Sequence, residues 1–144
     1  MTPSNEVEML RDANTRILRA LLVASRHGAP AEGRLPFNPL YFNMLRMLAR
    51  APARPSEIAD GLGVPRTTMS AAVRALEGRG LLARAPHPVD GRSAILSLTP
   101  EGRAVHAAID RQDLRNAEAI LGTLPEDERA GFVATMRRIA EGLE

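Results

Sequence analysis

Between Arg66 and Arg74 the chain sets Arg66, Thr67, Thr68, Ser70, Ala71 and Arg74 around one long apolar residue, Met69. Helical spacing turns Met69, Val73 and Leu76 to one side and leaves the small polar and basic residues on the other. Three hydroxyls can donate to or accept from base edges and phosphates. The threonine methyls and Ala71 suit a thymine methyl, and Arg66 can pair bidentately with guanine or rest on a phosphate. Arg74, two turns further on, is placed for a phosphate. A second candidate is Arg92, two residues after Asp90 at an Asp-Gly turn; a guanidinium on a hairpin tip fits a narrow minor groove, where the negative potential is enhanced. Asp90 can hold such a tip by accepting from local backbone N–H groups or from an arginine. Arg84 either pairs with Asp90 or approaches the nucleic-acid backbone.

Other chemistry finds little to work with. His106 and Asp110 stand one helical turn apart with Asp113 close by, but the histidines number three (His27, His87, His106) and no His-Glu-x-x-His spacing occurs, so a surface i,i+4 contact is the better reading. The absence of cysteine excludes disulfides, thiolate metal sites and a thiol nucleophile. No Gly-rich phosphate loop or nucleophile elbow is present. The expectation is a protein that is not an enzyme and needs no cofactor. With no Trp, one Tyr and three Phe, stacking platforms for single-stranded bases are not expected either.

The elements that must position these residues can be read along the chain. Residues 5–27 suit a long helix, with Val7, Leu10, Asn14, Ile17 and Leu21 at heptad spacing. Glycines and prolines make 28–38 a loop. A helix near 39–50 carries Tyr41, Met44, Leu45 and Leu48 on one face. Pro55 suits the first position of a short helix to Leu62, and Gly61 and Gly63 permit a tight turn into a helix over 66–79. Two helices joined this way form a helix-turn-helix. Gly80 suits the residue just past the second helix. Residues 81–85 and 93–98 suit strands around the Asp90-Gly91 turn, a hairpin that completes a winged helix. Thr99 and Pro100 suit the cap and first position of a helix to about Gly122. A last helix over 126–143 opens with Glu126, Asp127 and Glu128, where the helix dipole favours anions, and aligns Phe132, Met136, Ile139 and Leu143, widened by Val133 and Ala140.

The fold expected is mainly α, an α+β winged helix-turn-helix: six helices, a two-stranded β-hairpin wing, and terminal helices forming a dimerisation region. The expected division is 1–38 for the N-terminal dimerisation helix and loop, 39–99 for the winged helix-turn-helix, and 100–144 for the C-terminal dimerisation helices. The apolar stripes at both ends must be covered, by folding back on their own chain or, more simply, by intertwining with a second copy.

Length and charge fit this scheme. The 144 residues suit one domain with an extension. All 19 basic residues are arginine, as a preference for Arg codons would give. Their placement is uneven: five Arg against four acids over 1–45, nine against five over 46–103, and five against eight over 104–144. A basic centre before an acidic end points to a central surface that meets an anion, the alternative being that the charges are simply solvated. No apolar run is long enough for a membrane span and the N-terminus lacks a secretory core, so a cytoplasmic protein is expected, with no membrane partner.

Over essentially its whole length, and most strongly from Pro55 to Gly102, the chain resembles the MarR (multiple antibiotic resistance regulator) family of bacterial transcription regulators. Ser56-Glu57-Ile58-Ala59-Asp60-Gly61-Leu62-Gly63-Val64 is similar to the family's first helix and turn. Val73 through Arg84 is similar to the end of its recognition helix and the following strand, Asp90-Gly91-Arg92 to its wing, and Leu98-Thr99-Pro100-Glu101-Gly102 to its strand-to-helix junction. The resemblance implies a homodimer formed by the first and last helices, with two winged helices on a pseudo-palindromic double-stranded DNA operator. It also implies repression relieved by a small, often aromatic or phenolic, ligand bound between the dimer base and the winged helix. Arg26, Tyr41, Phe42 and Met44 lie near where that ligand pocket would be. The chain departs from the family pattern in having Pro65 where Ser or Thr often caps the recognition helix, Ala71 where Arg is frequent, and a Pro-rich 28–38 loop. Lacking cysteine, it is not of the peroxide-sensing type. A winged helix that binds protein rather than DNA is the alternative, and it predicts a shallow salt dependence.

Overall fold

The computed structural model describes residues 3–28, 35 and 38–144, with side chains described for 5–24, 35 and 38–144. The elements are α1 (Pro3–Gly28), α2 (Pro39–Arg50), α3 (Pro55–Leu62), α4 (Arg66–Gly78), β1 (Leu82–Pro86), β2 (Ala94–Leu98), α5 (Pro100–Gly122) and α6 (Glu126–Leu143). Among the described residues, six helices and one hairpin agree with the fold class expected from the sequence. The chain divides into two compact units, Met1–Asp110 and Arg111–Glu144.

The core of the first unit is built where the periodicities converge. Met44, Leu45 and Leu48 come from α2, Ile58 and Ala59 from α3, and Met69, Ala72, Val73 and Leu76 from α4. Leu81, Leu82, Leu96 and Leu98 close it from the hairpin and Val105 from α5. In α4 the buried positions recur at i, i+3, i+4 and i+7, so one stripe of the helix is pinned inward and the opposite side is left to solvent.

The ends of these helices are set by local chemistry. Asn38 caps α2, its Oδ1 accepting from the N–H groups of Leu40 at 3.0 Å and Tyr41 at 3.4 Å. Gly63 and Gly80 take left-handed backbone, φ 65° and 74°, which costs a residue with a Cβ but not glycine. Past α4 the Gly80 N–H reaches the Glu77 carbonyl at 2.9 Å and the Leu81 N–H reaches the Leu76 carbonyl at 3.0 Å, so two terminal carbonyls are satisfied at once. Thr99 caps α5 as its sequence context predicts, accepting the Gly102 N–H at 3.0 Å while donating to the Gly80 carbonyl at 2.6 Å. Gly102 is buried, and a Cβ there would run into the Leu81 carbonyl oxygen. The first turn of α5 therefore rests directly on the backbone that follows α4.

In the antiparallel hairpin Leu82 lies opposite Leu98 and Pro86 opposite Ala94, leaving residues 87–93 as the tip. The short segment before α3 does more than connect two helices. Ala53 in fact bridges β2, its N–H reaching the Leu96 carbonyl at 3.1 Å and its carbonyl accepting the Leu96 N–H at 2.8 Å. The wing is thus tied to the approach to α3 as well as to itself.

In the second unit Glu126, Asp127 and Glu128 stand in the first turn of α6, and no residue of that helix is buried. Val133, Met136, Ile139 and Leu143 are exposed, as are Val7, Leu10, Ile17 and Leu18 of α1. No described helix is long and apolar enough to cross a membrane.

Candidate nucleic-acid interface

Because Met69, Ala72, Val73 and Leu76 face the core, Arg66, Thr67, Thr68, Ser70, Ala71 and Arg74 all fall on the exposed side of α4. The structure brings these six onto one open helix surface. Pro65 stands at the N-cap and provides no side-chain hydrogen bond, so the first-turn N–H groups beside Arg66, Thr67 and Thr68 have no intrahelical acceptor. A helix start of this kind favours an anionic oxygen. Among the described residues, no salt bridge engages Arg66, Arg74 or Arg92. Their guanidinium charge stays available to an outside anion.

Asp90 organises the second half of the wing tip. Its Oδ1 accepts the Arg92 N–H at 3.1 Å, its Oδ2 accepts the Ser93 hydroxyl at 3.3 Å, and its carbonyl accepts the Ser93 N–H at 3.0 Å. Of the two ways the sequence allowed Asp90 to act, the structure has the backbone-accepting one. Gly91 is not among the glycines with positive φ, so the Asp90–Ser93 turn does not use the left-handed geometry that an Asp-Gly pair permits. Arg92 is exposed beyond this turn.

Arg84 corrects its expected role as a partner of Asp90. It turns instead to Glu77, with Nε at 3.2 Å and Nη2 at 2.7 Å from the same carboxylate oxygen. The ladder explains the change: Arg84 lies opposite Leu96, two rungs inside the end of the hairpin, and Asp90 sits in the loop beyond that end. The pair staples the last turn of α4 to β1 and stays open to solvent, so it adds about 1 kcal/mol at most.

One residue of the wing has a role that its sequence context does not announce. The His87 Nδ1 accepts from the N–H groups of both Val89 and Asp90, each at 3.1 Å, and its Nε2 lies 3.1 Å from Nη2 of Arg54. The signal available was a histidine three residues before the Asp90-Gly91 pair. Its second partner lies 33 positions away and leaves no local trace.

The expected ligand pocket fares differently. Met44 is fully buried within the core and lines no open surface, which corrects its assignment. Tyr41 is half-buried against the same core and Phe42 is half-buried beside it in sequence. The Arg26 side chain lies outside the described residues. No group of three or more metal-ligating side chains occurs among the described residues.

The arrangement, an exposed recognition helix beside a hairpin with a basic tip, defines a winged helix-turn-helix. A sequence model of the MarR family matches residues 35–93. The chain is 31% identical to CouR, a transcriptional repressor solved bound to a 23-mer DNA duplex, over 92% of this chain and 89% of that one, with a TM-score of 0.69. It is 26% identical to the PcaV transcriptional regulator of Streptomyces coelicolor, solved in complex with its natural ligand, over 100% of this chain and 95% of that one, with a TM-score of 0.61. Among curated proteins it is 30% identical over 106 residues to the HTH-type transcriptional regulator PecS of Dickeya dadantii, covering 71% of this chain. It spans 64% of the length of PecS and 61% of a putative transcriptional regulatory protein for the hcr operon in Thauera aromatica. The chain belongs to the MarR family, and these relatives are transcriptional regulators rather than enzymes.

Proposed function

We propose that the chain acts as a homodimeric transcriptional repressor that holds a pseudo-palindromic operator with two winged helices and leaves it when a small aromatic or phenolic ligand binds. The observation that carries this reading is the open face of α4, where Arg66, Thr67, Thr68, Ser70, Ala71 and Arg74 stand clear of the core that Met69 enters. Such a face enters a major groove from its N-terminal half and reads base edges there. Arg92, held out beyond Asp90, supplies a second grip in the adjoining minor groove.

The dimeric part rests on the stripes of the terminal helices. Leu10 is 62% exposed and Leu143 83% exposed in the single chain, on helices whose apolar residues repeat at seam spacing. Covering such stripes yields roughly 25 cal/mol for each Å² removed from water. In this scheme 1–38 and 100–144 serve dimerisation and 39–99 serves DNA. The repressor and ligand parts rest on likeness to CouR, a repressor bound to a duplex, and to PcaV, solved with a ligand.

The test is selection of bound sequences from random duplex, followed by titration of the recovered duplex across salt. The expected result is a palindromic preference and a log affinity that falls by about 0.9 per contacted phosphate for each unit of log salt. A shallow dependence without sequence preference would replace this reading with a winged helix that binds protein.

A further inference from the structure

The wing tip is held by two side chains, Asp90 and His87. Asp90 serves the second half of the tip, accepting from the Arg92 N–H and the Ser93 hydroxyl. The first half depends on His87, whose Nδ1 alone accepts from the Val89 and Asp90 N–H groups. The His87 N–H, donated to the Ser93 carbonyl at 2.9 Å, closes the base of the same loop. A ring nitrogen accepts only while it carries no proton.

The far side of the ring tightens this condition. Nε2 faces Arg54 Nη2 at 3.1 Å, and a guanidinium has donors only. Both ring nitrogens therefore face donors, whereas a neutral imidazole has one acceptor to give. Two carboxylates belong to the same neighbourhood, and both keep their charge because the donors they accept from are neutral N–H and O–H groups. Asp90 is engaged within the tip, and the Glu57 carboxylate accepts the Arg54 backbone N–H at 3.1 Å. Arg54 is part-buried at the start of α3, and its Nε has no hydrogen-bond partner. A second proton, on Nδ1, would end its acceptance from the Val89 and Asp90 N–H groups and set a cation against this guanidinium.

We infer that His87 is a proton-operated latch on the wing: its bare Nδ1 holds the tip in the shape that presents Arg92, and a proton on that nitrogen releases the tip. His87 is thus a positioning residue that acts through Arg92. The consequence for DNA rests on the proposed function; the latch itself belongs to the free protein.

The test uses the full chain and three variants. In His87→Asn the side-chain oxygen, like Nδ1, is bonded to Cγ, so it can accept from the same two N–H groups and does not titrate. His87→Gln places its amide near the Nε2 position, toward Arg54 and away from the tip. His87→Ala keeps neither contact. Backbone ¹⁵N order parameters of Val89, Asp90 and Arg92 are measured at about pH 7.5 and about pH 5, the span over which histidine is the side chain that most often changes charge. The wild-type tip should read about 0.8 at the higher pH and below about 0.6 at the lower. The Asn variant should stay ordered at both, and the Gln and Ala variants should be mobile at both.

Affinity for the selected duplex should fall roughly 3- to 10-fold more for wild type than for the Asn variant over the same pH step, the equivalent of one to two hydrogen bonds. A wild-type tip that keeps its order at low pH, an Ala variant as ordered as wild type, or an Asn variant with the wild-type pH response would overturn the latch. If no duplex is bound at any pH, the order parameters still decide the latch and only the DNA reading falls.

Discussion

At the scale of single residues, the two grips proposed for DNA should fail in different ways. Arg92→Ala removes a guanidinium whose contact is with the shape of the groove, so affinity should drop by about 1–3 kcal/mol across all operators, with a shallower salt slope. Thr68→Ala and Ser70→Ala remove hydroxyls on the open face of α4 and should change base preference instead, as repeated selection from random duplex would read out. The open face was legible in the sequence because the 3.6-residue period that buries Met69 and Val73 leaves Thr68 and Ser70 no other side to occupy. Asp90 was legible as a tip acceptor because its partners lie within three residues. The Arg84–Glu77 and Arg54–His87 contacts were not, because each joins residues on different elements and only the assembled core sets their separation.

At the scale of elements, most boundaries could be read from caps. Pro55 and Pro100 open their helices, Gly80 follows α4, and Thr99 accepts the Gly102 N–H as its position implies. The Ala53–Leu96 bridge escaped the sequence reading because a single paired residue has no periodicity to detect. The Asn38 cap escaped it because the preceding loop is crowded with competing turn residues. The junction between β2 and α5 gives the sharpest test at this scale. Gly102→Ala puts a methyl into the Leu81 carbonyl, and the strain of overpacking should lower stability by about 1–3 kcal/mol in urea or thermal unfolding. The same substitution at Gly131, where a Cβ meets nothing, should be close to neutral or slightly stabilising.

At the scale of the whole molecule, the prediction concerns the terminal helices. Deleting residues 126–144 should leave a monomer by sedimentation and weaken operator binding steeply, since two linked sites hold a palindrome far better than one. Dimerisation by the truncated chain would move the interface away from α6. A single sequence shows the apolar stripes that need covering but not their cover, because a second copy of the chain would have identical residues and leave no separate mark. The Gly102 seat bears on how motion passes through the protein. With no side chain between the first turn of α5 and the Leu81 carbonyl, that joint has no compressible layer. The root of α5 and the peptide just past α4 meet with no side chain between them to absorb a displacement, so what glycine contributes there is stiffness.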